Sequence, residues 1–221
     1  LCDGDVFLLF MVLSVPSDFT LRQQIRESWG SLASRDRGIR LAFILAQSES
    51  KTFKEKIAEE SKTHHDIIQK DFIDSYRNLT LKSESILHFA AFYCQNAQFI
   101  VKTDSDIFVN VPLLLDILND FKEGADILGY TKRVRLPFRD KSNKWHIDYS
   151  EYPLTFYPDY VDGSCYVIPR TFIKPLFQMS LKTRLLSMED VYVTGILRSR
   201  ISLPLRYHNR FSLKPCVFDS C

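Results

Sequence analysis

Apolar residues open the chain as an unbroken block, Val6–Leu13 (VFLLFMVL), which continues to Val15 before Pro16 stops it. A short run of this kind bounded by a breaker reads as a fully buried strand. The period then changes. Leu21, Ile25 and Trp29 recur about one turn apart, and Thr20 with Gln23 forms a capping-box pattern, so a helix is predicted. Residues 39–46 predict a second strand, 50–63 a charged surface helix and 67–71 a short strand. Residues 79–94 read as a helix with Ile86, Phe89, Ala90 and Tyr93 on one face. Residues 99–103 form a strand that runs directly into Asp104. Pro112 stands where a first-turn proline belongs, ahead of an apolar helix to Phe121.

Strands alternating with helices predict an α/β fold around a largely parallel sheet. After Tyr130 the alternation breaks up. Residues 131–156 are polar, aromatic and turn-rich, which suits a long substrate loop. A strand at 165–168, a helix at 171–181 and a final helix starting near Ser187 complete the pattern. There is no internal repeat, low-complexity stretch or linker, so residues 1–221 read as a single domain.

Composition narrows the classes. Of 221 residues, 45% are hydrophobic and 25% charged, enough for one sizeable core. A net charge of +2 gives no reason to expect a nucleic acid or a membrane surface as partner. The longest apolar run is too short to span a bilayer as a helix, which takes about 20 residues. A membrane anchor, if one exists, is expected upstream of these residues. Cys2, Cys94, Cys165, Cys216 and Cys221 show no Cys-x-x-Cys spacing, which argues against zinc. Cys216 and Cys221 are close enough in sequence to bridge in an oxidising compartment; buried free thiols are the other reading. Seven unclustered glycines argue against a dinucleotide-binding turn and a P-loop. A bound phosphate would need side chains, with or without a metal, to hold it.

Asp104 and Asp106 flank one serine at a predicted strand end, where ligands of parallel α/β sheets bind. In extended chain residues i and i+2 face the same side, so the two carboxylates converge. A hard divalent cation would neutralise them; a turn with a helix cap is the plainer alternative. Arg22 and Arg26 lie one helical turn apart, a mild repulsion that an anion between them would reverse. Without such an anion they make a solvated basic face beside Glu27. Lys82 in a first helical turn opposes the helix dipole and is better explained facing a phosphate or a carboxylate, with Asp74 nearby. Asn78-Leu79-Thr80 fits an N-glycosylation acceptor. Asp190, beside Glu189 at a helix start, is a candidate general base that the helix N-terminus would keep ionised; a cap with Ser187 is the alternative. His208 is a candidate third metal ligand, against the commoner structural histidine.

In this order the motifs resemble the inverting β1,3-galactosyltransferase-like family, which includes N-acetylglucosaminyl relatives and, more distantly, the fringe enzymes. RQQIRESWG resembles R-x-x-I-R-x-T-W-G, with Ser28 where Thr is usual. DFIDSYRNLTLKSE is similar to D-F-x-D-x-Y-x-N-L-T-x-K-T. VKTDSDIFVN resembles K-x-D-D-D-x-F-V-N, and KWHIDYSEYPLTFYPDYVDGSCYVIP resembles K-W…E-Y-P…Y-P-x-Y-x-x-G-x-G-Y-V. EDVYVTGI resembles E-D-V-x-V-G, with an extra Thr194 in the spacing.

The resemblance implies a GT-A type fold, with a central mixed, mostly parallel sheet flanked by helices. It implies transfer of a hexose or N-acetylhexosamine, galactose favoured, from a UDP-sugar to a glycan acceptor on a glycoprotein or glycolipid, in β1,3 linkage. Mn²⁺ or Mg²⁺ would be held by Asp104 and Asp106 with His208. Arg22, Arg26, Asp74, Lys82, Asp104 and Ser105 would surround the nucleotide. Asp190 would be the catalytic base, and Trp145, Tyr157, Asp162, Gly163 and Glu189 would shape the sugar pocket. The implied location is the Golgi or ER lumen, as part of a type II membrane protein. Ser105 replaces the middle Asp of the family triplet, and Cys165 replaces the second glycine of G-x-G, which could narrow the pocket. Two rival readings are a catalytically weak glycan-binding relative and a haloacid-dehalogenase-type phosphohydrolase, whose D-x-D also ends a strand.

Overall fold

The computed structural model describes residues 1–34, 36–121 and 126–211. The proposed Cys216–Cys221 pairing lies outside them. Strands β1 (Val6–Leu13), β2 (Ile39–Gln47), β3 (Ile67–Ile73), β4 (Ala97–Asp104), β5 (Ile127–Lys132), β6 (Tyr160–Pro169) and β7 (Leu205–Tyr207) form one sheet in the order β3-β2-β1-β4-β6-β5-β7. The β3-β2-β1-β4 half is parallel throughout. β6 runs antiparallel to both β4 and β5, and β7 is parallel to β5. The sheet is mixed and mostly parallel, as expected.

Helices α1 (Phe19–Glu27), α2 (Lys51–His64), α3 (Leu79–Phe92), α4 (Val111–Asp120) and α5 (Arg170–Ser180) cover the sheet. One face packs Leu8, Phe10, Val101 and Val167 against Ile25 and Trp29 and against Leu114 and Leu118 of α4. The other packs Leu9, Met11, Ile100 and Ile168 against Ile86, Ala90, Ile173, Leu176 and Val191. Both faces of β1 are therefore buried, which is why its sequence is apolar without alternation. Gly30 lies in the short helical turn after α1 (Trp29–Leu32), where a β-carbon would fall 2.6 Å from the Ile25 carbonyl oxygen.

Several local expectations change. No capping box forms at α1: Asp18 precedes the helix without a side-chain cap, and Gln23 bonds Glu27 instead. α3 stops at Phe92, with Tyr93 exposed, and Cys94 forms a disulfide with Cys2. β5 and β7 occupy segments with no predicted strand. The long loop consequently begins after Lys132 and returns at Tyr160.

Candidate active site

The parallel strands end together, and β6 enters beside them from the opposite direction. Leu13 is level with Asp104, and Thr103 with Cys165. Antiparallel pairing thus sets Gly163 and Ser164 beside the end of β4. The last helical segment begins at Glu189, continues through a π-helical stretch (Val191–Leu197) and closes in α6 (Arg198–Arg200). Thr194 staples it to β6: its hydroxyl donates to the Asp190 carbonyl at 2.7 Å and accepts from Val161 N–H at 2.8 Å. A β-carbon on Gly163 would lie 3.2 Å from Asp190 Cβ and 3.3 Å from Glu189 Oε2, so glycine permits this close approach.

Lys102 organises the acidic groups, although its motif position alone gave no reason to assign it a role. It is the one charged residue of β4's apolar run, and it is buried. Its Nζ contacts Asp104 Oδ1 at 2.8 Å and Glu189 Oε2 at 3.1 Å, and donates to the Gly163 carbonyl. Tyr166, level with it on β6, donates from its hydroxyl to Glu189 Oε1 at 2.6 Å. Burial alone would disfavour the ammonium, but Glu189 and Asp104 outweigh it and raise its pKa.

Asp190 is raised to about 7, first by burial and then by the charge of Glu189. The helix terminus does act on it, through Val191 N–H at 2.8 Å, yet burial and Glu189 win. The expectation that the terminus keeps Asp190 fully ionised is therefore corrected, and so is the Ser187 cap: Ser187 N–H donates to Glu151. Asp104 is also raised, by burial first, with Glu189 and Asp106 adding and Lys102 opposing. Asp162 stays below the usual carboxylate range because Ser164 and Lys132 outweigh its burial.

The aspartate pair differs in geometry from extended chain. Asp104 ends β4, whereas Ser105 and Asp106 form a turn in which Ser105 N–H reaches the Leu13 carbonyl. Asp106 is exposed. Among the described residues no three His, Cys, Asp or Glu side chains form a group able to hold a metal ion, so His208 does not complete a protein-only site. It follows β7, its N–H on the Gly129 carbonyl, and burial lowers its pKa. Two oxygen-bearing side chains with mutually unfavourable charge nevertheless fit a hard cation whose remaining ligands come from a diphosphate.

The anion expected between Arg22 and Arg26 is a protein group. Glu60 of α2 takes both oxygens to Arg22, at 2.9 and 2.6 Å, and contacts Arg26 at 2.8 Å. Arg26 also forks onto Asp66. Arg22 is fully buried and further donates to Ser14 Oγ and the Val15 carbonyl. These arginines brace the scaffold, and neither lines the cleft at Asp74 described next. Lys82 likewise finds a carboxylate: Asp74 Oδ1 at 2.8 Å, with the Ser14 carbonyl at 2.9 Å. Asp74 lines a cleft of about 380 Å³ at the ends of β1, β2 and β3, together with Pro16, Gln47, Ser50 and Phe53. Thr80 donates to the Leu186 carbonyl and Asn78 to that of Ile73, so both side chains help hold the entry to α3.

Trp145 and Tyr76 meet, indole against hydroxyl, and Tyr76 feels the charges of Asp190, Asp104 and Glu189. Tyr76 was not anticipated; the pattern around it gives only a loop. Glu151 links the segment before α3 to the one before the last helix, bonding Arg77 at 2.8 Å and Ser187 N–H at 2.7 Å. Tyr157 packs on Tyr152 and Tyr160 and lines a second cavity of about 540 Å³ with Arg184, Leu185, Ile196 and Arg200. Cys165 does not narrow the acidic cluster. It packs on the opposite face of the sheet, and burial pushes its thiol up to about 12.

The mixed seven-stranded sheet with acidic groups gathered at one edge defines the class: an α/β protein of the GT-A type. The 4-diphosphocytidyl-2C-methyl-D-erythritol synthase of Anaerococcus prevotii shares the fold, with a TM-score of 0.50 at 11% identity, covering 99% of this chain and 94% of that one. A galactosyltransferase family model matches residues 20–209, and the chain belongs to that family. It is 36% identical to mouse beta-1,3-galactosyltransferase 1 over 203 residues, covering 89% of this chain and 62% of that protein. To human beta-1,3-galactosyltransferase 9 it is 35% identical over 219 residues, covering 97% and 59%. The chain thus spans about three fifths of the length of these relatives.

Proposed function

We propose that these residues form the catalytic unit of an inverting glycosyltransferase. It moves a hexose or N-acetylhexosamine, galactose favoured, from a UDP-sugar to a glycan acceptor in β1,3 linkage. The observation that carries this reading is Asp190, a carboxylate raised to about 7, set against Gly163 beside the end of β4. A base poised near the working pH is what deprotonation of a sugar hydroxyl needs.

The acceptor hydroxyl rests against Asp190 and gives it its proton. The oxygen then bonds to the anomeric carbon from the side opposite UDP, and the bond from that carbon to the diphosphate oxygen breaks with its electron pair on UDP. An α-linked donor yields a β-linked product. Asp104 and Asp106 would hold Mn²⁺ or Mg²⁺. When bound, the cation supplies charge stabilisation to the departing diphosphate. The cleft lined by Asp74 would take the uracil and ribose, with Lys82 orienting Asp74 from behind. Tyr76, Trp145 and Asp162 would face the sugars.

The Cys2–Cys94 disulfide suits an oxidising compartment such as the Golgi or ER lumen. No helix among the described residues is long and apolar enough to cross a membrane, so a type II anchor would lie elsewhere in the protein. Sheet topology speaks against the phosphohydrolase: the D-x-D strand here has an antiparallel neighbour, β6.

A panel of UDP-sugars with Mn²⁺ against an acceptor glycan array tests the proposal. Transfer is expected with at least one donor, and Asp190→Asn should abolish it while UDP still binds. Absence of transfer from every donor would refute it, and phosphatase activity alone would favour the rival.

A further inference from the structure

Lys102 is the only cation among the described residues that touches both ends of the proposed reaction centre. Asp104, at one end, belongs to the diphosphate side. Glu189, at the other, is the chain neighbour of Asp190. The Gly163 carbonyl, its third partner, belongs to the residue on which Asp190 rests. All three come from different elements, and none is near another in sequence. A buried ammonium with three such partners has no freedom to leave any of them without an unpaired charge in the interior. Tyr166 closes the arrangement, fixing the second oxygen of Glu189 and setting its ring 5.6 Å from Nζ.

We propose that Lys102 is a positioning residue for glycosyl transfer. Its ammonium locks the end of β4, the Gly163 position of β6 and the start of the last helical segment into one unit. That unit fixes where the Asp190 carboxylate stands relative to Asp104. Lys102 itself touches neither sugar nor nucleotide. Its role lies in a distance: base to donor site. Misplacement of a reacting group by about 1 Å costs about 100-fold in rate. The inference rests on Asp190 being the base, but its structural half can be tested without turnover.

Lys102→Met keeps the length of the side chain and removes the charge. The crystal structure of this variant with UDP is expected to show the Asp190 carboxylate displaced from Gly163, with α1 and α2 unmoved. An Asp190 carboxylate that superposes on the wild-type position would overturn the proposal, whether or not the protein transfers sugar. In kinetics, kcat is expected to fall about 100-fold while KM for the UDP-sugar stays within about threefold. Glu189→Gln should cost a similar factor. The double variant should be no worse than the poorer single one, because both break one unit. Losses that multiply, or a loss confined to KM, would also overturn it. Should Lys102→Met fail to fold, Lys102→Met/Glu189→Gln removes the cation and its buried anion together and carries the same structural and kinetic tests. Absence of transfer by the wild type, with Asp190 displaced in the variant, would refute the proposed activity and leave the clamp standing.

Discussion

Asp190 leans on Gly163: its Cβ lies 3.2 Å from the point a β-carbon at position 163 would occupy. Asp190 cannot keep this place if residue 163 gains a side chain. Gly163→Ala should therefore lower kcat about tenfold to 100-fold, by tilting the base. Its melting temperature should change little, since the neighbour must yield by only a few tenths of an ångström. Steady-state kinetics alongside a thermal melt separate the two effects; an unchanged kcat would contradict the crowding argument.

The raised pKa of Asp190 has consequences for both rate and stability. As the proposed base, Asp190 must be ionised, so kcat/KM should fall about tenfold per pH unit below about 7. For stability the sign is opposite to that of an ion-paired carboxylate. The native state holds the Asp190 proton more tightly than the unfolded chain does, so this group's contribution weakens as pH rises from about 4 to about 7. Asp190→Asn should be inactive and, at pH 8, more stable than wild type by something on the order of 2–4 kcal/mol. Urea denaturation at pH 5 and pH 8 measures the difference.

Glu60 should matter to the fold and not to the ligand. Glu60→Ala leaves the buried Arg22 without its carboxylate and the half-buried Arg26 with Asp66 alone, and should cost about 3–5 kcal/mol. UDP affinity of the folded protein should stay within about twofold. Burial would raise Glu60, but Arg22 and Arg26 win and lower it, so its contribution is present at neutral pH and is lost as acid titrates it. Calorimetry with UDP on the variant distinguishes this from direct nucleotide contact, which would weaken binding at least tenfold.

The Cys2–Cys94 bond lies before β1 and β4, at the opposite end of these strands from Asp104. It closes a loop spanning 92 residues. Cys94→Ala should lower stability by about 2–5 kcal/mol and leave kcat of the folded enzyme within about twofold. Loss of kcat without loss of stability would mean that the bond shapes the site.

Much of the parallel half was legible because β1, β2 and β4 are runs of residues buried on both faces, and each helix has a local period. The strand-end position of Asp104 followed from the same logic. β5 and β7 were not legible. β7 has only three residues, Leu205–Tyr207, too few to show a period. The direction of β6 depends on its crossing partner, which no local window contains. The partners of Arg22, Lys82 and Lys102 were hidden for the same reason. Glu60 is 38 residues from Arg22, and Glu189 is 87 residues from Lys102. Burial of Asp190, which reverses the effect of the helix terminus, also arises only when β6 and the last helix meet.

The anion between Arg22 and Arg26 is supplied by the protein's own Glu60. In this chain RQQIRESWG is thus a signature of assembly, diagnostic of a correctly built scaffold whatever that scaffold carries. A relative could preserve every letter of it after losing Asp190, and would still be recognised by it. On the proposed function, sorting active members from retired ones in such a lineage depends on reading positions 106 and 190 instead.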